Sequence, residues 1–219
     1  MSKILRRRLI TGGLAATAGA SGLAVAAQLA KRYGLLPPDG SGIYGLGNTL
    51  TFASQRLLTA NSLAREFSRS QISKAPFANG KPPDNPEFKR LQAGGFADWR
   101  LKIEGMVARP TSLSIADLKQ MPARSQITHL ACEEGWSFIA EWIGVPLFEV
   151  LNAVGIQPQA KYVVYTSQEE GWWDSLDMAD ALHPQTFVTY GMNGGDLPVG
   201  HGGPLRLRVP RQLGYKSVK

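Results

Sequence analysis

The sequence predicts an α+β fold made of short strands and short helices. Segments such as KYVVYTS (161–167) and PLRLRVP (204–210) have the alternating or β-branched pattern of strands. SIADLKQM (114–121) opens with a capping box and predicts a helix. Helices and strands do not alternate strictly, which argues against a regular parallel βαβ array. Because the chain contains 24 glycines and 14 prolines, its elements are expected to be short.

The first half of the chain is predicted to be irregular up to about residue 95. A turn-rich PPDGSGIYGLGN precedes a predicted helix in TLTFASQRLLTANSLAREF (49–67), and APFANGKPPDNPEF (75–88) is predicted to be a loop. Two strands follow, in WRLKIEGMV (99–107) and in QITHLAC (126–132), which runs into the only cysteine.

The second half is predicted to be more regular. VPLFEVLNAVGI (145–156) is a predicted helix with Pro146 near its start and Gly155 near its end. A second, short helix is expected in DMADALHP (177–184). TFVTYGMNGGDLPV predicts a hairpin whose turn is Asn193-Gly194-Gly195.

The positive charge of the chain is concentrated at its N-terminus. Residues 1–32 contain six basic residues and no acid, so only about +1 of the net +7 belongs to the remainder. A nearly neutral body argues against a nucleic-acid-binding surface. We therefore expect no nucleic-acid partner.

The N-terminal segment has the pattern of an export signal. Arg6-Arg7-Arg8 precedes TGGLAATAGASGLAVAAQLA, an uncharged, weakly hydrophobic stretch rich in Ala and Gly. This pattern predicts a twin-arginine signal over residues 1–32, a partner in the twin-arginine export machinery and a periplasmic location. An uncleaved membrane anchor is the alternative. Residues 33–74 are expected to be an irregular segment before the main domain.

Cys132 is the only cysteine, and three interpretations of it are open. Free cysteines are commonly buried filler, but Glu133, Glu134 and Gly135 follow directly and favour a strand-to-loop edge. A nucleophile would need a base such as His201, in the glycine-rich VGHGGPLR, while the adjacent glutamates would raise the thiol pKa. A tetrahedral zinc site lacks a full ligand set, but one thiolate suffices for a metal that a bound organic cofactor also chelates.

Three segments together resemble the sulfite oxidase-type molybdopterin oxidoreductases. CEEGWSFIAEWIGVPLFEVL is similar to that family's Cys-x-Glu-x-Trp-Ser segment with its following Trp-x-Gly-x-Pro-Leu. MNGGDLPVGHGGPLRLRVPRQLGYKSVK resembles the family's closing cofactor-binding stretch, and FADWRLKIEGMVARPTSLSIADLKQMP resembles its opening strand and helix. The resemblance implies a mixed-sheet molybdopterin-binding domain over about residues 75–219. Because the chain stops at GYKSVK where that family continues into another strand, either a truncated C-terminus or a member that ends early is expected.

The resemblance implies a Mo-molybdopterin cofactor with Cys132 as the thiolate ligand of the metal. Soft thiolate suits such a centre, and the pterin phosphate needs cations and backbone donors. The positions that match the family's cofactor contacts are Asn79, Thr166, His201, Arg206, Gly214, Tyr215, Lys216, Ser217 and Lys219. Arg208 is expected to be an ordinary side chain of a half-exposed strand. The tryptophans 136, 142, 172 and 173 are expected to pack, with a substrate pocket as the alternative for the last two.

The activity that the resemblance implies is oxygen-atom transfer on a small substrate, sulfite-like or sulfoxide-like. Electrons would be exchanged with a separate partner, a cytochrome or a membrane haem protein, because the sequence contains no haem domain. Two other functions remain open on the residues alone: a Cys-His thiol-dependent hydrolase, and a non-catalytic exported module that binds the cofactor.

Overall fold

A computed structural model describes residues 45–59, 61–169 and 171–219, with isolated positions at 25, 28 and 35–37. The chain forms two compact units, Met1–Ser62 and Leu63–Lys219. The predicted twin-arginine signal lies outside the described residues except for positions 25 and 28. No helix in the described ranges is both long and apolar enough to cross a membrane.

The described part of the first unit is mainly one helix, Gly45–Thr59. It overlaps the helix predicted for residues 49–67, but it starts four residues earlier and ends before the second half of that segment. Leu50, Leu57 and Leu58 on this helix are exposed.

The second unit contains nine strands in the described part of the chain. They are β1 (Leu101–Ile103), β2 (Thr111–Leu113), β3 (Arg124–Ala131), β4 (Ser137–Pro146), β5 (Tyr162–Thr166), β6 (Trp173–Asp177), β7 (Phe187–Met192), β8 (Gly195–Asp196) and β9 (Arg206–Arg208). β3, β4, β7, β8 and β9 form one sheet, whereas β1–β2 and β5–β6 are separate two-stranded sheets. Each of these strands pairs with its neighbours in the antiparallel direction.

The helices of this unit are short, as the glycine and proline content predicts. They are Pro86–Ala93, Ile115–Gln120, Leu147–Val154 and Met178–Ala181. The capping box predicted at Ser114 is confirmed, since its side chain accepts from the Asp117 backbone N–H and Asp117 accepts from the Ser114 backbone N–H. Gly155 ends the helix Leu147–Val154 with φ 69°, which a residue without Cβ adopts at little cost. The α+β prediction is confirmed.

Among the elements that were not predicted, which include β2 and β6, two position the rest of the unit. The first is the helix Pro86–Ala93. The prediction of a loop over residues 75–88 is wrong at its end, because Pro86 starts this helix and the Asn85 side chain accepts from the Phe88 N–H. The second is β4, which is the longest strand of the sheet. Its sequence SFIAEWIGVP does not alternate clearly, because β4 lies between β3 and β7 and most of its residues are buried on both faces.

The long β3–β4 hairpin places the cysteine at the edge of the sheet. Eight residue pairs run from Arg124↔Gly144 to Ala131↔Ser137, so Cys132 begins the turn between the two strands. β7 pairs with the other edge of β4, and β9 pairs with β7. One core cluster includes Leu118, Val145 and Val209, and a second is built around Leu130, Phe138 and Trp142. The second cluster lies directly under the cysteine turn.

Candidate molybdopterin site

Cys132 opens a tight turn that leaves its side chain partly exposed. The Cys132 N–H donates to Trp136 O at 3.0 Å, and the Gly135 N–H donates to Cys132 O at 3.1 Å. The thiol donates to a carboxylate oxygen of Glu133 at 3.3 Å, with one of Glu134 at 3.9 Å. The interpretation of Cys132 as buried filler is therefore wrong: the thiol is only half-buried and contacts carboxylates.

The thiol is not prepared to act as a nucleophile. Burial raises the pKa of the Cys132 thiol. A hydrogen bond with the Glu134 backbone lowers this pKa, but the carboxylates of Glu133 and Glu134 raise it again, so that the net shift is upward. Within the described ranges no hydrogen bond joins Cys132 to His201. Both observations count against a Cys-His hydrolase.

The last turn of the described chain lies against the cysteine. A Cβ built on Gly214 would be 3.2 Å from the Cys132 Cβ and 3.3 Å from Ala131 O. Only a glycine allows this close approach without displacement of the neighbouring backbone. The contact places the segment 213–219 beside Cys132, as expected if Gly214 belongs to the cofactor site.

Two arginines of β9 are buried beneath this turn. Arg206 donates to Ser217 O at 3.1 Å and to His201 O at 3.0 Å. Arg208 donates to Ser217 Oγ at 2.9 Å, and more weakly to Thr128 Oγ1 and His129 O at 3.4 and 3.3 Å. All of these acceptors are uncharged, and among the described residues neither guanidinium is paired with a carboxylate.

The buried positive charge therefore has no counter-ion among the residues that the structure describes. Burial lowers the pKa of Arg206 to about 10, while the nearby Cys132 acts to raise it. Burial, followed by the charge of Arg206, lowers the pKa of Arg208 well below its usual range. Arg208 Nε is buried without a hydrogen-bond partner. An anionic ligand would stabilise both charged side chains, because an uncompensated buried charge is costly.

Sequence reasoning missed Arg208. The expectation of a half-exposed strand is wrong, because Arg206, Leu207 and Arg208 are all buried and Arg208 is fully so. The alternation of Leu and Arg in PLRLRVP is typical of a surface strand. No local signal distinguishes that case from a strand whose charged face closes a ligand site.

His201 and Lys219 lie next to Arg206. His201 is buried, its Nδ1 has no partner, and burial together with the charges of Arg206 and Lys219 lowers its pKa. Lys219 Nζ contacts Asn79 O and lies 3.5 Å from Gly200 O. The structure thus brings Asn79, His201, Arg206 and Lys219 together, although they are distant in sequence.

Ser217 also belongs to this group, whereas Lys216 faces elsewhere. The buried Ser217 hydroxyl accepts from Arg208 and from the Val209 N–H, so it is a link within the arginine cluster. Lys216 Nζ donates to Asp174 at 2.6 Å and to Ser175 O at 2.8 Å. The charge of its ammonium group is already balanced by Asp174. This geometry favours a role in anchoring the terminal turn to β6 over a cofactor contact.

Thr166 and Tyr215 each adjoin a residue that contacts the site, since Ser167 donates to Lys219 O at 2.9 Å and Gly214 contacts Cys132. Thr166 ends β5 and, with Trp172 and Trp173, lines an open cavity of about 620 Å³. Trp173 is exposed, so the expectation that it packs in the core is wrong. Tyr215 is 44% exposed and follows Gly214 in the turn that contacts Cys132.

Comparison with known proteins identifies the ligand that these residues suit. Residues 89–219 match the family model "Oxidoreductase molybdopterin binding domain". The putative protein-methionine-sulfoxide reductase subunit YedZ1 of Azospira oryzae is 37% identical over 163 residues, 74% of this chain and 60% of that protein. The protein-methionine-sulfoxide reductase catalytic subunit MsrP of Xanthomonas campestris pv. campestris is 38% identical over 158 residues, 65% of this chain and 48% of that protein.

A solved structure agrees with the family match. The sulfane dehydrogenase SoxCD of Paracoccus pantotrophus superposes with a TM-score of 0.54 at 25% identity, covering 56% of this chain and 36% of that one. The chain spans between about half and three fifths of the length of the curated relatives it matches.

The donor set fits a molybdopterin. A phosphorylated pterin supplies the anion that the buried arginines lack, and a dithiolene-chelated metal needs one soft protein ligand, which Cys132 offers. Within the described residues no group of three His, Cys, Asp or Glu side chains could hold a metal ion, so a metal on Cys132 would need ligands from a bound molecule. The chain belongs to the oxidoreductase molybdopterin-binding domain family, whose cofactor is a molybdopterin.

Proposed function

We propose that this protein reduces sulfoxides at a molybdenum centre held by Cys132. The observation that carries the proposal is the buried pair Arg206 and Arg208, whose described partners are all uncharged, near the only thiol of the chain. Cys132 would bind the metal, and Arg206, Arg208, His201, Ser217 and Lys219 would hold the anionic cofactor. Asn79, Thr166, Gly214 and Tyr215 remain candidate contacts at its edges.

When bound, the molybdenum centre supplies two-electron oxygen-atom exchange. The side chains of this chain hold and orient the cofactor and keep the positive charge of the site buried. In the overall reaction a sulfoxide takes up two electrons and two protons, its S–O bond breaks, and a thioether and water are formed. The electrons would come from a separate partner, a cytochrome or a membrane haem protein.

The exposed side of the thiol favours a sulfoxide over sulfite. Glu133 and Glu134 are the exposed residues beside Cys132, and their negative charge would repel an oxyanion. A sulfoxide is neutral and is not repelled. The names of the relatives YedZ1 and MsrP, which are methionine-sulfoxide reductase subunits, support the same substrate, with methionine sulfoxide in proteins as the finer proposal.

The location is proposed on the sequence alone. The twin-arginine pattern at Arg6-Arg7-Arg8 supports export to the periplasm after the cofactor has been inserted into the folded protein. Replacing Arg6, Arg7 and Arg8 by lysine should retain the protein in the cytoplasm, which cell fractionation measures.

Elemental analysis tests the proposed function directly. Protein purified from a molybdopterin-producing host should contain about one molybdenum per chain, and Cys132→Ser should lose it while remaining folded by circular dichroism. Protein without molybdenum would overturn the cofactor assignment. The substrate assignment would be overturned if molybdenum-loaded protein oxidised sulfite but did not reduce methionine sulfoxide with a reduced dye as the electron donor.

A further inference from the structure

Four large apolar side chains that are partly or largely exposed belong to the cysteine turn or to segments in contact with it. We call them the apolar rim: Phe77, Trp136, Leu213 and Tyr215. Phe77, Leu213 and Tyr215 are 51%, 47% and 44% exposed, and Trp136 is partly exposed. Exposed apolar groups gathered at one place mark an interaction site more often than scattered ones do.

Two of these residues form one side of the rim. The rings of Phe77 and Trp136 have centroids 5.4 Å apart, and Trp136 follows Cys132 by four residues in the same turn. Trp136 is held in place because its Nε1 donates to Glu134 at 2.7 Å and its ring stacks on the buried Phe138. A surface that is already ordered loses less entropy when a ligand binds.

The other side of the rim is the terminal turn. Leu213 and Tyr215 flank Gly214, which contacts the Cβ of Cys132. Phe77 belongs to the segment that reaches Lys219 through Asn79 O. Both sides are therefore connected to Cys132, one through Trp136 and the other through Gly214.

The apolar rim is larger than a small sulfoxide requires. A single oxidised methionine side chain inserted at Cys132 would leave at least one side of the rim uncovered, whereas chain segments on both sides of that methionine would cover both. Aromatic and leucine side chains are suited to such contacts because they bury much apolar area. The exposed carboxylates of Glu133 and Glu134, in the same turn as Trp136, would attract basic flanking residues.

We propose that the apolar rim binds the polypeptide on both sides of an oxidised methionine, and that it prefers apolar and basic flanking residues. This inference rests on the proposed sulfoxide reduction and assigns the residues that set its specificity. Phe77 and Leu213, which are not candidate cofactor contacts, act on substrate binding, and the chemistry at the metal does not depend on them.

Kinetics with two substrates test the proposal. The variants are Phe77→Ala, Leu213→Ser and their combination, with Met106→Ser as the control because Met106 is similarly exposed and lies outside the rim. With a reduced dye as electron donor, the double variant should lower kcat/KM for oxidised, unfolded casein about tenfold, as loss of a binding hot spot does. The kcat/KM for N-acetylmethionine sulfoxide should stay within about twofold.

The other outcomes overturn the proposal. An equal loss with both substrates would mean that the rim supports the cofactor site. If the variants lost activity only when a membrane fraction supplied the electrons, and kept their rates with the reduced dye, the rim would bind the electron donor. No change for either substrate would mean that the rim binds nothing in this reaction.

A binding measurement separates this proposal from the proposed function. Fluorescence anisotropy of a labelled methionine-sulfoxide peptide does not require turnover, and lysine-flanked and aspartate-flanked versions test the charge preference. The wild type should bind the lysine-flanked peptide more tightly, and Phe77→Ala/Leu213→Ser should weaken that binding. Binding without turnover would contradict only the proposed function, whereas turnover without any such preference would contradict only the rim.

Discussion

The guanidinium carbon of Arg208 lies 4.5 Å from the centroid of the Trp142 ring, and both side chains are fully buried. Arg206 lies 5.6 Å from the same centroid. One indole therefore supports two arginines whose other protein partners are neutral oxygens. A cation over an aromatic face is stabilised by the ring quadrupole, which partly offsets the cost of burial. The remaining cost is what a bound anion would remove.

Arg208→Met should release the cofactor without unfolding the domain. Methionine keeps packing against Trp142 and loses the charge, so cofactor retention should fall roughly 10- to 100-fold, the range for one lost charge-assisted hydrogen bond. Molybdenum content after dialysis measures the loss. Arg208→Lys should retain an intermediate amount, and wild-type molybdenum content in Arg208→Met would contradict the role of this charge.

Lys216 and Lys219 should behave differently although both were predicted to contact the cofactor. Lys216→Met should keep molybdenum and lose about 1 kcal/mol of stability, because it breaks a half-buried ion pair with Asp174. Lys219→Met should keep its stability and lose molybdenum. Urea denaturation and elemental analysis of both variants, with Asp174→Asn completing a double-mutant cycle, check this. Equal molybdenum loss in both would show that Lys216 also holds the cofactor.

Gly214→Ala should disturb the site with little effect on the fold. The added methyl group would be 3.2 Å from the Cys132 Cβ, so the terminal turn must shift by a few tenths of an ångström. We expect a reduced molybdenum content and less than about 1 kcal/mol of lost stability, since only the terminal turn has to shift to accept the methyl group. Gly195→Ala is the comparison, because a Cβ there meets only Met192 O, at 3.9 Å, and the φ of Gly195 lies outside the left-handed region. A wild-type metal content in Gly214→Ala would contradict the close approach.

His201 should make the cofactor-free protein less stable in acid. Its pKa is lowered by burial and by the charges of Arg206 and Lys219, whereas the unfolded chain has the ordinary value of about 6.5. The unfolded state therefore takes up this proton first as the pH falls. The stability that neutral His201 contributes is fully present above a pH of about 6.5. It decreases as the pH falls below that value, and the decrease stops once His201 is protonated in the folded state as well.

Thermal unfolding of the cofactor-free protein at pH 7.5 and 5.5 measures this effect. The Tm of His201→Asn should fall less between pH 7.5 and pH 5.5 than the Tm of the wild type does. His129→Asn, at an exposed histidine of β3, is the matched control. The same pH dependence in the wild type and in His201→Asn would show that His201 does not contribute.

Local sequence predicted the elements whose signals are local. The capping box at Ser114, the glycine at the end of Leu147–Val154 and the Asn193-Gly194 hairpin depend on neighbouring residues, and all three are present in the structure. The helix at Pro86–Ala93 was missed because the prolines before it resemble a loop. β4 was missed because a strand buried on both faces loses the alternation that identifies strands.

The sequence by itself determined the family, the single thiol and the chemistry that a single thiol can support. Only the tertiary structure decided which basic residues serve the site: it buries Arg208 among neutral oxygens, pairs Lys216 with Asp174 and brings Phe77 beside Trp136. The reason is physical. Charge, burial and the distance between residues remote in the chain depend on how β9, the terminal turn and segment 77–80 pack around Cys132, and no local pattern encodes that packing.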